Sequence, residues 1–388
     1  MRTKILSVVA VLVVAVLLGL HFIYPDILEN SMNKVSVHED FKISEQAKKL
    51  HSELLVTDLH TDSLLWKRDL TKRETRGHVD IPRLEEGNVA LQLFTAVTKS
   101  PAGQNYEEND GTSDNITMAA IAQMWPMRTW DSLAERALYQ SEKLHAFAKA
   151  APTKIAYVTT AGQLQRVLRD RASGKKITAA LYGIEGAHAL DGKLENLGRL
   201  YDSGLRVLGP THFFDNLVAG SLHGISGKGL SEFGIEVIKS AMAKDMIIDI
   251  AHSSPQTVRD ILAMTDKPVI LSHGGMKGVC DTPRNLEDDL MVAVAKHDGL
   301  VGIGFWDGAV CDISPLGVVK AIRYAIDLLG VDHVALGSDY DGSTEVAFDI
   351  SEIAILTQTM IDQGFTKQEI SKVMGANAIG FFLKHLPS

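Results

Sequence analysis

Eight short apolar runs, most of them followed by a segment of helical length and amphipathic pattern, set the narrowest limits on what this chain can fold into. The runs are 53–60 (ELLVTDLH), 89–97 (VALQLFTAV), 177–185 (ITAALYGIE), 205–212 (LRVLGPTH), 246–252 (MIIDIAH), 268–273 (PVILSH), 300–305 (LVGIGF) and 333–339 (HVALGSD). Candidate helices lie between most of them, at Asp131–Ala150, Thr160–Ser173, Leu194–Ser203, Leu230–Lys244, Pro255–Met264, Leu286–His297 and Pro315–Leu328. Two more, Ser351–Gln363 and Lys367–Leu386, close the chain. Alternating strands and helices predict parallel strands joined by crossovers. Strands that are apolar throughout predict a sheet covered on both faces. Eight such units point to an α/β fold of the (β/α)8 TIM type rather than an open sheet. No G-x-G-x-x-G follows the first run, which weighs against a dinucleotide-binding fold.

The N-terminus reads separately. Arg2 and Lys4 precede residues 5–24, twenty residues without a formal charge. That length spans a bilayer. A retained anchor is favoured over a cleaved signal peptide, because LLGLHFIYP offers a poor small-x-small cleavage site. Either way the basic residues stay inside and the rest of the chain is exported. The expected organisation is an anchor or signal at 1–24, a polar spacer at 25–45 and one catalytic domain at 46–388. Net charge is −9, and without a basic patch nothing points to nucleic acid. The two cysteines, Cys280 and Cys311, suit an exported protein with at most one disulfide. A polar insertion, Lys99–Trp130, follows the second run, and loops this long are often functional.

Six of the eight runs end in His, Asp or Glu. The residues are His60 with Asp62, Glu185, His212, His252, His273 and Asp339. In a barrel these ends share the face where active sites form. Residues i and i+2 of a strand point the same way, so His60 and Asp62 can reach one ion together. A single histidine after a strand is usually solvated, and a single aspartate often caps the next helix. Six coincident strand ends are a different matter. Three histidines and two carboxylates suit zinc. Five ligands exceed what one open tetrahedral ion needs, but fit two ions sharing a carboxylate. Two metals about 3.5–4 Å apart generate a nucleophile at neutral pH and polarise a carbonyl. Asp339 is the candidate to carry the proton to a leaving amine.

These residues resemble the membrane (renal-type) dipeptidases, zinc peptidases of the amidohydrolase superfamily, over about residues 50–385. The matching segments are DLHTDSLLW (58–66), HVDIPRLEEGNVALQLF (78–94), GIEGAHAL (183–190), GLRVLGPTH (204–212), IIDIAHSS (247–254), PVILSHGGMKGVCDTPRN (268–285), VALGSDYDG (334–342) and VMGANAIGFF (373–382). The resemblance implies a (β/α)8 barrel and two zinc ions. His60 and Asp62 would bind one ion, His252 and His273 the other, and Glu185 would bridge them. Other amidohydrolases typically open with H-x-H and bridge through a carboxylated lysine, so Asp62 and Glu185 discriminate. By the same resemblance His212 would face the tetrahedral intermediate, Arg284 would hold a substrate carboxylate through its planar fork, and Asp339 would shuttle the proton. Cys280 and Cys311 match positions that can be paired in exported relatives, which makes them a candidate disulfide. Asp58 reads as a supporting residue, and Asp341 as either a supporting residue or a loop cap, the cap being favoured.

The expected activity is hydrolysis of dipeptides, and the resemblance implies a site that can accept a D-residue at the C-terminal position. Another amide or lactone hydrolase on the same site stays open, as does a non-catalytic metal-bearing envelope protein. Expected partners are a dipeptide and, through the N-terminal helix, a membrane; a homodimer is left open. Animal members use a C-terminal lipid, whereas the apolar run here is N-terminal. That points to an enzyme of the bacterial cell envelope, at the inner membrane with its catalytic domain facing the periplasm or the outside, or secreted if the run is cleaved.

Overall fold

The computed structural model describes residue 19, residue 21 and residues 23–388. The expected anchor at 1–24 therefore lies almost wholly outside the described residues. Among the described residues no helix is long and apolar enough to cross a membrane.

Eight parallel strands form a curled sheet: β1 (Val56–Thr61), β2 (Val89–Val97), β3 (Thr178–Glu185), β4 (Leu205–Leu208), β5 (Ile247–Ile248), β6 (Ile270–Gly274), β7 (Leu300–Ile303) and β8 (Val334–Leu336). Their order is β5-β4-β3-β2-β1-β8-β7-β6. The outer strands touch through one parallel bridge, Asp249 to Ile270, and the amide of Ile250 donates to the Ile270 carbonyl at 2.8 Å. Every residue of β2 and β3 is buried, as strands covered on both faces must be. All eight predicted strands are present. A ninth, Ile155–Tyr157, pairs beside the start of β3 and was not expected. Three residues carry too little periodicity to announce it.

Local chemistry explains where the helices begin. Ser254 and Ser314 each precede a proline at the first helical position, and their side chains accept the amides of Thr257 and Gly317. A serine cap followed by proline is a strong start signal. Thr160 and Gln163 form a reciprocal capping box. The closing segment is not one helix, as expected, but Lys367–Ser371 and Asn377–His385 joined by an irregular turn. Gly375 in that turn lies against β1: a Cβ there would meet the Leu55 carbonyl oxygen at 1.8 Å.

The expected spacer is not free chain over its first half. Residues Tyr24–Met32 form a helix, and Lys34–Val35 pairs in parallel with Glu345–Val346 in the loop after β8. The cause is a buried ion cluster. Glu29, 1% exposed, pairs with Arg68 and Arg76, and Arg68 also pairs with Asp341, which is fully buried. Asp341 additionally accepts the Ser63 hydroxyl and the His78 amide. The loop-cap reading of Asp341 is thereby corrected: it is the hub of a network pinning the N-terminal helix to the β1 and β8 loops. Removing one member of a buried charge cluster strands the others. Arg68→Met is expected to cost about 3–5 kcal/mol of stability, read from the midpoint of chemical denaturation. An unchanged midpoint would show that the cluster does not hold the fold.

Candidate metal centre

Strand register brings the chemistry level. Val97 pairs with Glu185, Gly274 with Ile303, and Thr61 forms a bridge with Tyr340. The seven strand-end residues therefore meet at one end of the sheet, and all are buried. Asp62, Glu185, His212, His252 and Asp339, together with Arg284, line a cavity of about 560 Å³. Two of these positions have left-handed backbone, His252 at φ 58° and Asp339 at φ 61°. Such conformations in non-glycine residues persist where surrounding structure enforces them, commonly at functional sites. Gly186, at φ 98°, makes the turn that ends β3 after Glu185; a Cβ there would strike the His188 ring at 2.2 Å.

Glu185 is the focus. Its Oε1 lies 3.0 Å from His252 Nε2, 3.2 Å from His273 Nε2 and 3.8 Å from His60 Nε2. Its Oε2 lies 3.1 Å from His212 Nε2. The Nε2 atoms of His252 and His273 are 2.9 Å apart. On the other side, His60 Nε2 sits 3.5 Å from Asp62 Oδ1 and 3.8 Å from Asp339 Oδ1. Thr95 donates its hydroxyl to Asp62 Oδ1 at 2.7 Å.

Two further aspartates brace the strands. Asp58 accepts the Gln92 side chain at 2.7 Å and both the amide and hydroxyl of Ser338 at 2.8 Å, locking β1 to β2 and β8. Asp249 accepts the Ser272 amide at 2.9 Å, holding the end of β5 to β6. Asp249 also comes within ligand reach of His60 and His273. The sequence reading passed over it, although an aspartate inside the apolar run 246–252 was a visible signal.

Burial raises Glu185 far above the usual carboxylate range, and the Asp62 charge adds to it. Asp339 is pushed up to about 7 by burial, which the charge of His60 opposes. Burial drives His252 and His273 well down, keeping both imidazoles neutral, and lowers His212 to about 4. His60 goes the other way. Burial opposes its charge, but Asp62, Glu185 and Asp339 outweigh that and push it up to about 10.

This donor set fits divalent cations. The carboxylates of three residues are packed into one buried space, and buried like charges need a compensating cation. Glu185 Oε1 accepts no hydrogen bond from the protein, although three imidazole nitrogens approach it. Neutral imidazole, the form burial favours at His212, His252 and His273, is the form that ligates, and a cation bound beside Asp62 and Glu185 would displace the proton that these carboxylates hold on His60. The donors are nitrogen and oxygen, the combination zinc accepts. Two overlapping triads share Glu185: His60, Asp62 and Glu185 on one side, and Glu185, His212 and His252 on the other. The second triad includes His212, expected to face substrate, while His273 groups with His60 and Asp249 in a third.

Residues 44–383 match the profile of the membrane dipeptidase family, peptidase family M19. The chain belongs to that family. As a member it is a dipeptidase-class hydrolase. Among curated relatives, Dipeptidase verJ of Clonostachys rogersoniana is 28% identical over 313 residues, covering 78% of this chain and 74% of that protein. Dipeptidase 3 of Mus musculus is 26% identical over 376 residues, covering 88% and 67% respectively. A metallo peptidase from Rhodobacter sphaeroides, solved with a phosphinate mimic of L-Ala-D-Ala, superposes at a TM-score of 0.72 with 22% identity, over 86% of this chain and 99% of that one. At that identity the superposition speaks for the fold.

Around this centre the dipeptidase has features that the strand ends do not announce, although Arg284 and a pairing of Cys280 with Cys311 were expected from the resemblance. Arg284 is 2% exposed; its guanidinium donates to the His273 carbonyl at 3.1 Å and lies 5.2 Å over the Trp306 ring. No carboxylate among the described residues forms an ion pair with it. Trp306 in turn donates to the hydroxyl of Tyr106, brought in by the 99–130 insertion. Cys280 and Cys311 form a disulfide that joins the loops after β6 and β7.

Proposed function

We propose that this chain hydrolyses dipeptides bearing a free C-terminal carboxylate, at a centre of two zinc ions in a closed (β/α)8 barrel. His60 and Asp62 hold one ion, His252 and His273 the other, and Glu185 serves both. The observation that carries the reading is the single Glu185 oxygen approached at 3.0–3.8 Å by histidines from three different strands. When bound, the ions would supply a nucleophile at neutral pH and polarise the scissile carbonyl.

The protein's own residues do the rest. Arg284 is a buried cation that no carboxylate among the described residues pairs with directly, although the charges of Asp339 and Glu185 act on it, and a substrate carboxylate suits its free guanidinium face. Fixing that carboxylate positions the peptide bond over Glu185, which lines the same cavity. Asp339, in the cavity wall, takes a proton during attack and delivers it to the departing amine. His212 lines the cavity beside Glu185 and would donate to the oxygen that gains charge in the transition state. Its tie to Glu185 also suits a ligand. We place the enzyme at a cell envelope, held by the apolar run 5–24.

The test is an assay of the purified, zinc-loaded full chain against L,L- and L,D-dipeptides. L-Ala-D-Ala belongs in that panel, since its phosphinate mimic occupies the Rhodobacter sphaeroides metallo peptidase. Release of amino acids from free dipeptides, abolished by a chelator and restored by zinc, is expected. Release from none of them would return the reading to another amide or lactone hydrolase.

A further inference from the structure

Exposed apolar side chains are not scattered evenly over this molecule. Of fifteen large hydrophobic residues exposed among the described residues, four lie in 23–32 and four in 118–127. Ile23, Ile27, Met124 and Met127 are 58%, 61%, 67% and 74% exposed. The two stretches touch. Leu28 of the N-terminal helix packs against the cluster that contains Ile116 and Ala120. A ring nitrogen of His21 contacts the Ala122 carbonyl at 3.3 Å. Helix Tyr24–Met32 therefore has two apolar sides: Leu28 and Met32 help line the metal-site cavity, while Ile23 and Ile27 face outward. Met118 does both, lining the cavity while 64% exposed. The apolar face and the cavity are thus adjoining.

An exposed apolar patch of this kind marks a docking surface. Its occupant is indicated by the chain itself. The uncharged run 5–24 ends at Tyr24, the first residue of the helix that carries half the patch. A chain leaving a bilayer at that point keeps residues 23–32 at the membrane–water boundary, where tyrosine is favoured and where apolar helix faces bury roughly 5–10 Å deep. We propose that helix Tyr24–Met32 and the 115–127 segment seat together on a phospholipid bilayer, so that the cavity opens at the membrane surface. Apart from Ile23 and Tyr24 this surface lies outside the apolar run, and the proposal stands whatever substrate the site takes.

The experiment uses the full chain in phosphatidylcholine vesicles. Nitroxide labels are placed on Ile27→Cys, Met127→Cys and, as reference, Lys176→Cys. Lys176 is exposed in the turn before β3, at the opposite end of the sheet from the metal centre. Collision with oxygen, relative to a water-soluble nickel chelate, should be several-fold higher at 27 and 127 than at 176. Equal ratios at 127 and 176 would overturn the proposal, because position 127 lies far in sequence from the apolar run. Dipolar broadening between labels at 127 on different chains would also overturn it, assigning the face to a second copy.

Discussion

Asp339→Asn is expected to keep its metal and lose about 10²–10⁴-fold in kcat, with KM little changed, because an amide cannot carry the proton between attack and departure. The substitution is nearly isosteric. Asparagine tolerates the left-handed backbone found at this position, and the bond from the Thr344 hydroxyl goes to the Asp339 main-chain carbonyl, which the change leaves in place. Asp339 lies outside every triad able to hold a cation among the described residues. Its ion-pair partner among the described residues is His60, at 3.8 Å. Steady-state kinetics with metal analysis of the same preparation checks this. Normal turnover would remove Asp339 from the proton path. Loss of metal alongside kcat would make it a ligand.

Arg284→Met should lower kcat/KM for free dipeptides by about 2–5 kcal/mol, roughly 30-fold to several thousand-fold, the range for truncating one partner of a buried charge pair. The same variant should treat a dipeptide C-terminal amide much as the wild type does. The contrast matters because Arg284 also touches the site from behind, through the His273 carbonyl and at 3.4 Å from His252 Nε2. A purely supporting role would depress both substrates equally. Methionine fills similar space beside Trp306 without the charge.

The strands and the gathering of the strand-end side chains were legible in the sequence for one reason. Charge at the end of an apolar run is costly unless it has a use, and six such ends in one chain point to a common site. Helix ends were legible where local chemistry decides them, as at Ser254-Pro255. What depended on distant partners was not. The burial of Glu29 rests on Arg68 and Arg76, about forty residues on, so 25–45 read as spacer. Asp341 looked like a cap because Arg68, Ser63 and His78 come from the other end of the chain. The break in the closing helix follows from Gly375 meeting Leu55, a contact that helical periodicity does not contain. Asp249 was missed because it sits inside its run, not at the end. The apolar cavity wall from the N-terminal helix was hidden for the same reason as Glu29.

The central claim is that Glu185 is shared between two cations. It is tested most directly by the metal content per chain of the wild type and of Glu185→Ala, measured by plasma mass spectrometry after equilibration with zinc and removal of excess. Two equivalents are expected in the wild type. The Glu185→Ala variant, folded by circular dichroism, should fall well below one, since neither remaining ligand pair suffices alone. A single equivalent in the wild type, or full retention in the variant, would contradict a shared carboxylate.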